Sequence, residues 1–195
     1  PMKNGQKCPS GCVATALAQL LYYWRWPVQG QGYNWAKDGN GETYSGSLEH
    51  IYDWEAMRNT TAENLASDEA ANAVATLMYD CGLSVNMNYD TNGSSAVTPN
   101  RALYTHFGYI PTTLRIHFRD CYTEQEWLQL IKNEIDHKRV IYHSAASEVN
   151  GGSDTSGHAF LVDGYDKNGN VHVNWGWNGD FNGFYATSRM VPGNY

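Results

Sequence analysis

The stretch QKCPSGCVATALAQLLYYWRWP, residues 6–27, decides the fold, because it joins a short polar loop to an amphipathic helix. Five large apolar side chains recur at the spacing of one helical stripe, namely Val13, Leu17, Leu20, Leu21 and Trp24. Pro27 ends the pattern, since proline cannot continue a helix. We therefore predict a helix over Gly11–Trp26, with Cys12 at its start.

The remainder of the first half predicts two more helices and one long polar loop. Residues 29–47 are rich in Gly, Asn and Tyr and are expected to form the loop. A second helix is predicted over Ser67–Cys81, with Ser67 as its N-cap and Gly82 ending it. Pro99 is expected at the first position of a third helix that Gly108 closes.

The second half predicts one helix followed by strands. Thr123 and Glu126 have the spacing of a capping box before that helix. Asp166–Gly169 is typical of a hairpin turn, and Glu148–Ser156 of a flexible loop beside the site. The predicted strands are Val140–Ser144, His158–Tyr165, Val171–Trp177 and Phe184–Thr187. Helices first and strands later indicate an α+β fold.

Composition and charge exclude several classes of protein. The chain has 42% hydrophobic residues and a net charge of −7, which argues against a disordered chain and against a nucleic-acid partner. No apolar run is long enough to span a membrane. The cysteines lack partners at metal-ligand spacing, so we expect no metal and no cofactor.

Cys12 is the candidate nucleophile. A thiol at a helix start faces backbone N–H groups and the positive end of the helix dipole, which stabilise a thiolate. Gln6 lies six residues upstream, and its amide could join the Cys12 backbone N–H as an oxyanion donor. Taken singly, these two residues also fit a buried cysteine and a surface glutamine.

His158 is the candidate base, because it starts an apolar strand directly after Gly157, which gives close access. Asn174 and Trp175 follow on the next strand, where an acceptor can orient the imidazole and a flanking indole can shield it. If the connecting hairpin is tight, His158 pairs near Trp177. Strand alternation then places both tryptophans on the face of His158 and Asn174 on the other face.

These motifs together resemble the streptopain family of bacterial cysteine peptidases. The resemblance rests on Gly11–Ala16, Asp80–Tyr89, Gly157–Phe160 and Val173–Gly179 and covers nearly the whole chain. It implies a papain-like fold in which two lobes form a single catalytic domain over residues 1–195. The first lobe, about 1–110, is expected to be helical, and the second lobe, about 111–195, to be strand-rich and barrel-like.

The same resemblance implies function and site residues. It implies a secreted or surface-bound bacterial endopeptidase, made as a zymogen with an inhibitory propeptide, that cleaves proteins and peptides with a hydrophobic residue at P2. Cys12 is expected as nucleophile and His158 as base, facing each other across a cleft. Gln6 is the implied oxyanion donor, with Asn174 and Trp175 as supporting pair.

Three further residues are expected near the substrate: His143, Gly157 and Trp177. His143 stands where some relatives of the family have glutamine. Two other functions use similar features: a transglutaminase or other acyltransferase shares the Cys and His chemistry, and an inactive binding module could use the many aromatic side chains as platforms.

Overall fold

The computed structural model of the chain describes residues 1–3, 5–39, 41–57, 67–149 and 154–190, with the backbone alone for residues 147–149 and 154–156. The chain forms two compact units, Pro1–Leu114 and Arg115–Tyr195. That these units are the lobes of a single catalytic domain stays a prediction.

The first unit combines helices with two short antiparallel hairpins, Met2–Lys3 with Gln6–Lys7 and Tyr33–Lys37 with Thr43–Ser47. In chain order its elements are β1 (Met2–Lys3), β2 (Gln6–Lys7), α1 (Cys12–Trp24), β3 (Tyr33–Lys37), β4 (Thr43–Ser47), α2 (Asp68–Ser84) and α3 (Asn100–Thr105). Its core lies where α1 packs against α2.

Helix α1 confirms the first prediction, with a shorter C-terminal end. The helix stops at Trp24 because Arg25 takes a left-handed conformation, φ 46°, and its N–H bonds the carbonyls of the last turn. Leu17 and Leu21 are fully buried, as the stripe predicts. Trp24 is exposed, so the buried stripe ends one turn earlier than expected.

Two predictions for the first unit are wrong, and a third is off by one residue, because Pro99 is the N-cap of α3 and not its first residue. Residues 29–47 were expected to be loop, but they contain the hairpin of β3 and β4. Its strands are short, and Asn34 Nδ2 ties them to the Leu83 carbonyl at 2.8 Å, a tertiary contact that no local pattern shows. Gly82 does not end α2, which continues to Ser84. A methyl group on Gly82 would lie 2.0 Å from the Tyr89 hydroxyl, so glycine here permits close packing.

The second unit holds one long helix and an antiparallel sheet. Its elements are α4 (Glu124–Asp136), β5 (Ile141–Val149), β6 (Asp154–Tyr165), β7 (Val171–Asn174) and β8 (Gly183–Tyr185). The capping box of Thr123 and Glu126 is confirmed. The core of this unit comprises Trp127, Ile131, Phe160, Val162, Val171, Val173 and Trp175.

The helices and antiparallel sheets confirm the mixed α+β class, but the sheet of the second unit is not a closed barrel. Among the described residues its strand order is β5-β6-β7-β8, which leaves β5 and β8 as edges. Four strands, the last with three residues, are too few for closure. The predicted loop over 148–156 is also wrong in part, because pairing continues to Val149 and Asp154. The tip of this predicted mobile loop, residues 150–153, lies outside the described residues.

The register between β6 and β7 decides which side chains share a face with His158. Leu161 pairs with Asn174, the register that a tight turn predicts. The turn is nevertheless longer, because the Asp166 N–H donates to the Asn170 carbonyl. The longer turn shifts the pairing of β6 with β7 by one residue, and a bulge between Val162 and Gly164 shifts it back. The predicted register is therefore correct, although the tight turn assumed for it is wrong.

Candidate active site

Cys12 is the first residue of α1, where the sequence placed it. Gly11 before it has φ 86°, a conformation that favours glycine. A methyl group on Gly11 would lie 2.7 Å from Met87 Sδ and 3.1 Å from the Ser94 carbonyl oxygen. Cys12 is half-buried, and none of the four cysteines forms a disulfide. The thiol thus lies at the positive end of a thirteen-residue helix.

Gln6 lies on β2, in the short hairpin that precedes Cys12. It pairs directly with Lys3 on β1, and its side chain is exposed. The hairpin is extended by the Cys8 N–H, which donates to the Pro1 carbonyl at 3.0 Å. The exposed side-chain amide of Gln6 can donate to a substrate oxygen.

His158 lies on β6 opposite Ala145 and is half-buried. Its Nε2 lies 2.9 Å from the backbone carbonyl oxygen of Trp175. A carbonyl oxygen can only accept, so Nε2 must carry a hydrogen and donate it. In the neutral imidazole the lone pair is then on Nδ1. This backbone contact selects the tautomer that a base acting through Nδ1 requires.

Aromatic rings surround one side of the His158 imidazole. The ring centroid of Trp177 is 4.6 Å from that of His158, and those of Trp175 and Phe160 are 5.9 Å and 6.0 Å away. Trp175 is 2% exposed, whereas Trp177 is 40% exposed. The predicted common face of the two tryptophans is confirmed. They fix the plane of the imidazole and limit the access of water to it.

Asn174 acts on the peptide group that orients His158. Its Oδ1 accepts from the Gly176 N–H at 3.0 Å. That N–H and the Trp175 carbonyl belong to one peptide unit, so Asn174 and His158 bond its opposite ends. Asn182 Oδ1 accepts from the Trp175 N–H at 2.9 Å, which holds the preceding peptide.

His143 lies behind the aromatic rings, on β5. It stacks on Phe160 at 4.8 Å between ring centroids. Burial lowers the pKa of His143 from 6.5 to about 4, so the ring is neutral near pH 7. Gly157 is exposed and pairs with Ala146. A methyl group there would meet the Ala145 carbonyl oxygen only at 3.8 Å, so space alone does not require glycine.

The described residues give no sign of two other kinds of site. They contain no group of three or more His, Cys, Asp or Glu side chains that could hold a metal ion. None of the helices described is both long and apolar enough to cross a bilayer.

Comparison with known proteins decides the family. The family model for the "Peptidase C10 family" matches residues 1–185 of this chain. The chain belongs to the peptidase C10 family. It is 33% identical to the thiol protease/hemagglutinin PrtT of Porphyromonas gingivalis and 31% identical to streptopain of Streptococcus pyogenes, over 98% and 96% of its length.

Solved structures of C10 peptidases agree with the fold. The active wild-type interpain A cysteine protease of Prevotella intermedia superposes with a TM-score of 0.88 and 35% identity, covering 98% of this chain and 80% of that one. A fragment of prointerpain A covers the whole chain with a TM-score of 0.82, and 61% of the fragment is matched. The chain spans only 22% of PrtT and 48% of streptopain.

Sequence reasoning missed three residues that shape this C10 site. Phe160 contacts both His143 and His158, and its place two residues after His158 could have indicated this. Asn182 holds the Trp175 backbone, but nothing in its local sequence predicts that. Lys3 holds the hairpin of Gln6 and was also missed.

Proposed function

We propose that this chain is the catalytic part of a papain-like cysteine endopeptidase that hydrolyses peptide bonds in proteins. The observation that carries the proposal is the bond from His158 Nε2 to the Trp175 carbonyl. It leaves the lone pair on Nδ1, as a base requires. The position of Cys12 at the start of α1 supplies the second half of the chemistry.

The proposed reaction has two stages. The proton of the Cys12 thiol passes to His158 Nδ1, and the thiolate sulfur attacks the substrate carbonyl carbon. Gln6 and the Cys12 backbone N–H donate to the oxyanion that forms. His158 gives its proton to the leaving amine, which departs and leaves an acyl-enzyme. His158 then takes a proton from water, and the hydroxide formed attacks the acyl carbon. The carbon–sulfur bond breaks, the carboxylic acid departs, and His158 returns its proton to the Cys12 sulfur.

The remaining site residues support this chemistry without reacting. The Trp175 carbonyl and the Asn174 side chain hold the imidazole through one peptide unit. Trp177, with its exposed ring beside His158, is proposed to contact the substrate. His143 and Gly157 are also proposed to line the substrate site. His143 is expected to contact the substrate over a smaller area than Trp177 does, since it lies largely behind Phe160.

Processing and location are also proposed from the comparisons. A structure described as prointerpain A is among the close matches, and we infer that this chain is likewise made with an inhibitory propeptide. We also propose that it is a secreted or cell-surface protein of a bacterium and prefers a hydrophobic residue at P2, as its resemblance to streptopain implies.

An activity-based probe tests the proposal. A peptidyl epoxide should alkylate Cys12, and Cys12→Ala and His158→Ala should abolish both labelling and cleavage of a fluorogenic peptide. Cys121→Ala is the matched control, because Cys121 is an exposed thiol in the second unit. Labelling at Cys12 with amine incorporation exceeding hydrolysis would identify an acyltransferase instead. Absence of selective labelling would indicate a binding protein.

A further inference from the structure

Lys3 is a buried cation with a complete set of acceptors. Its side chain is 8% exposed, and its Nζ lies 3.3 Å from Asp38 Oδ2 and 3.2 Å from Asp90 Oδ2. The Tyr89 carbonyl oxygen is 3.2 Å away. An ammonium group has three hydrogens to donate, and these three acceptors use them all. Burial alone would lower the pKa of Lys3, but its bonds to the two carboxylates outweigh this and raise it.

The three acceptors come from two places in the first unit. Asp38 directly follows β3 and is itself buried, with a side chain 7% exposed. Tyr89 and Asp90 belong to the segment after α2, which we call the 87–95 segment. Lys3 therefore fastens β1 to two separate parts of the first unit. Among the residues that the structure describes, β1 and β2 form no other ion pair.

Lys3 and Gln6 are directly paired across the hairpin of β1 and β2. Pairing fixes the backbone of each residue relative to the other. A displacement of Lys3 therefore displaces Gln6, whose exposed amide is the proposed oxyanion donor.

The 87–95 segment also holds the approach to Cys12. Ser94 Oγ donates to the Pro9 carbonyl at 2.6 Å, and Met87 and Ser94 enclose Gly11. The Asp90 N–H donates to Ser94 Oγ at 3.3 Å, which joins the two anchor points within the segment. One segment thus contacts the chain before Gln6, at Lys3, and again between Gln6 and Cys12, at Pro9 and Gly11.

From these contacts we infer that Lys3 is a positioning residue for the oxyanion donor Gln6. It holds β1 on Asp38 and on the 87–95 segment, and thereby fixes Gln6 relative to the start of α1. The inference rests on the proposed function, because it concerns the rate of the same reaction. On this inference Lys3 acts only through Gln6 and does not contact the substrate.

A double-mutant cycle with peptide cleavage as readout tests this role. Lys3→Met should lower kcat at least tenfold, with KM changed less than threefold, because the lost interaction is made in the transition state. Lys7→Met is the control, since Lys7 is an exposed cation on the same hairpin, and its kcat should be unchanged. If Lys3 acts through Gln6, Lys3→Met cannot lower kcat by a larger factor than Gln6→Ala does. Added to Gln6→Ala, it should lower kcat no further.

Several outcomes would overturn the inference. Unchanged kcat in Lys3→Met, or an equal loss in the presence and absence of Gln6→Ala, would show that Lys3 does not act through Gln6. If Lys3→Met does not fold, Asp90→Asn weakens the same anchor and keeps Asp38, and it should show a smaller loss that Gln6→Ala again abolishes. A loss that persists in that background contradicts the inference.

Failure of the proposed function gives a different pattern. In that case the wild-type protein cleaves no peptide, and Gln6→Ala has no effect to measure. The anchor itself is still tested by hydrogen exchange at the Cys8 amide, which closes the hairpin. Lys3→Met should accelerate that exchange at least tenfold and Lys7→Met should not. Equal protection in both variants would overturn the anchor.

Discussion

Asn174→Ala should lower kcat only moderately, because Asn174 reaches His158 through a peptide unit. The bond at stake is the one from the Gly176 N–H to Asn174 Oδ1 at 3.0 Å, a neutral hydrogen bond in a half-buried position. Such a bond contributes about 0.5–1.5 kcal/mol. If all of it is lost in the transition state, kcat falls by about 2- to 12-fold. Removing the side chain that bonds a catalytic imidazole directly lowers kcat by about 10⁴-fold.

Steady-state cleavage of a fluorogenic peptide measures this difference. Asn174→Asp keeps an acceptor for the Gly176 N–H and should retain most of the activity. Asn182→Ala is the matched control, because it removes an amide that bonds the same backbone at a different peptide unit. It should lower stability more than kcat. Chemical denaturation of each variant separates the two effects.

Two results would refute this reasoning. A loss above about 100-fold in a normally folded Asn174→Ala would mean that Asn174 contacts the imidazole itself. Equal losses in Asn174→Ala and Asn174→Asp would mean that the acceptor at Gly176 is unimportant.

The remaining predictions concern stability and the approach to Cys12. The folded-state pKa of His143 lies below its unfolded value of 6.5, so the unfolded state binds more protons between pH 6.5 and 4 and stability falls as pH falls through that range. The loss from pH 8 to pH 4.5 is about 2.5 kcal/mol, and urea denaturation should show that His143→Phe removes it. Gly11→Ala should lower kcat at least tenfold in peptide cleavage, because its methyl group would crowd Met87 and the less movable backbone carbonyl oxygen of Ser94, whereas Gly32→Ala, at a similar φ in open space, should not. Thr123→Ala should cost about 1 kcal/mol in urea denaturation with kcat unchanged, because it removes only a helix cap.

Local patterns predicted the elements whose stability is local. The stripe from Val13 to Leu21 and the capping box at Thr123 depend on neighbours three or four residues away, so the sequence displays them directly. The hairpin over 33–47 was missed because its strands are held by contacts with α2, such as Asn34 to Leu83. Lys3 was missed for the same reason, since Asp90 lies 87 residues along the chain.

The site was predictable as a set of residues and only partly as a geometry. Alternation along β6 and the predicted strand Val171–Trp177 correctly placed Trp175 and Trp177 beside His158, although β7 itself ends at Asn174. The side chain of Trp175 was expected on the face of His158, but the bond to its backbone carbonyl was not expected. Any residue can supply a carbonyl, so side-chain identity gives no signal for such a contact. The pairing of Cys12 with His158 stays a prediction.

The long turn at Asp166 and the bulge at Asp163 have an evolutionary consequence. Each shifts the pairing by one residue, and their shifts cancel before Asn174 is reached. Residues 167–169 lie between the paired Asp166 and Asn170, so a single-codon deletion among them leaves a two-residue turn with the same strand pairing. Trp175 then stays on the His158 face and Asn174 on the other, since the pair of Leu161 and Asn174 is unchanged. Lineages that diverged here should therefore carry length changes at the tip of this hairpin without losing the indole beside the base.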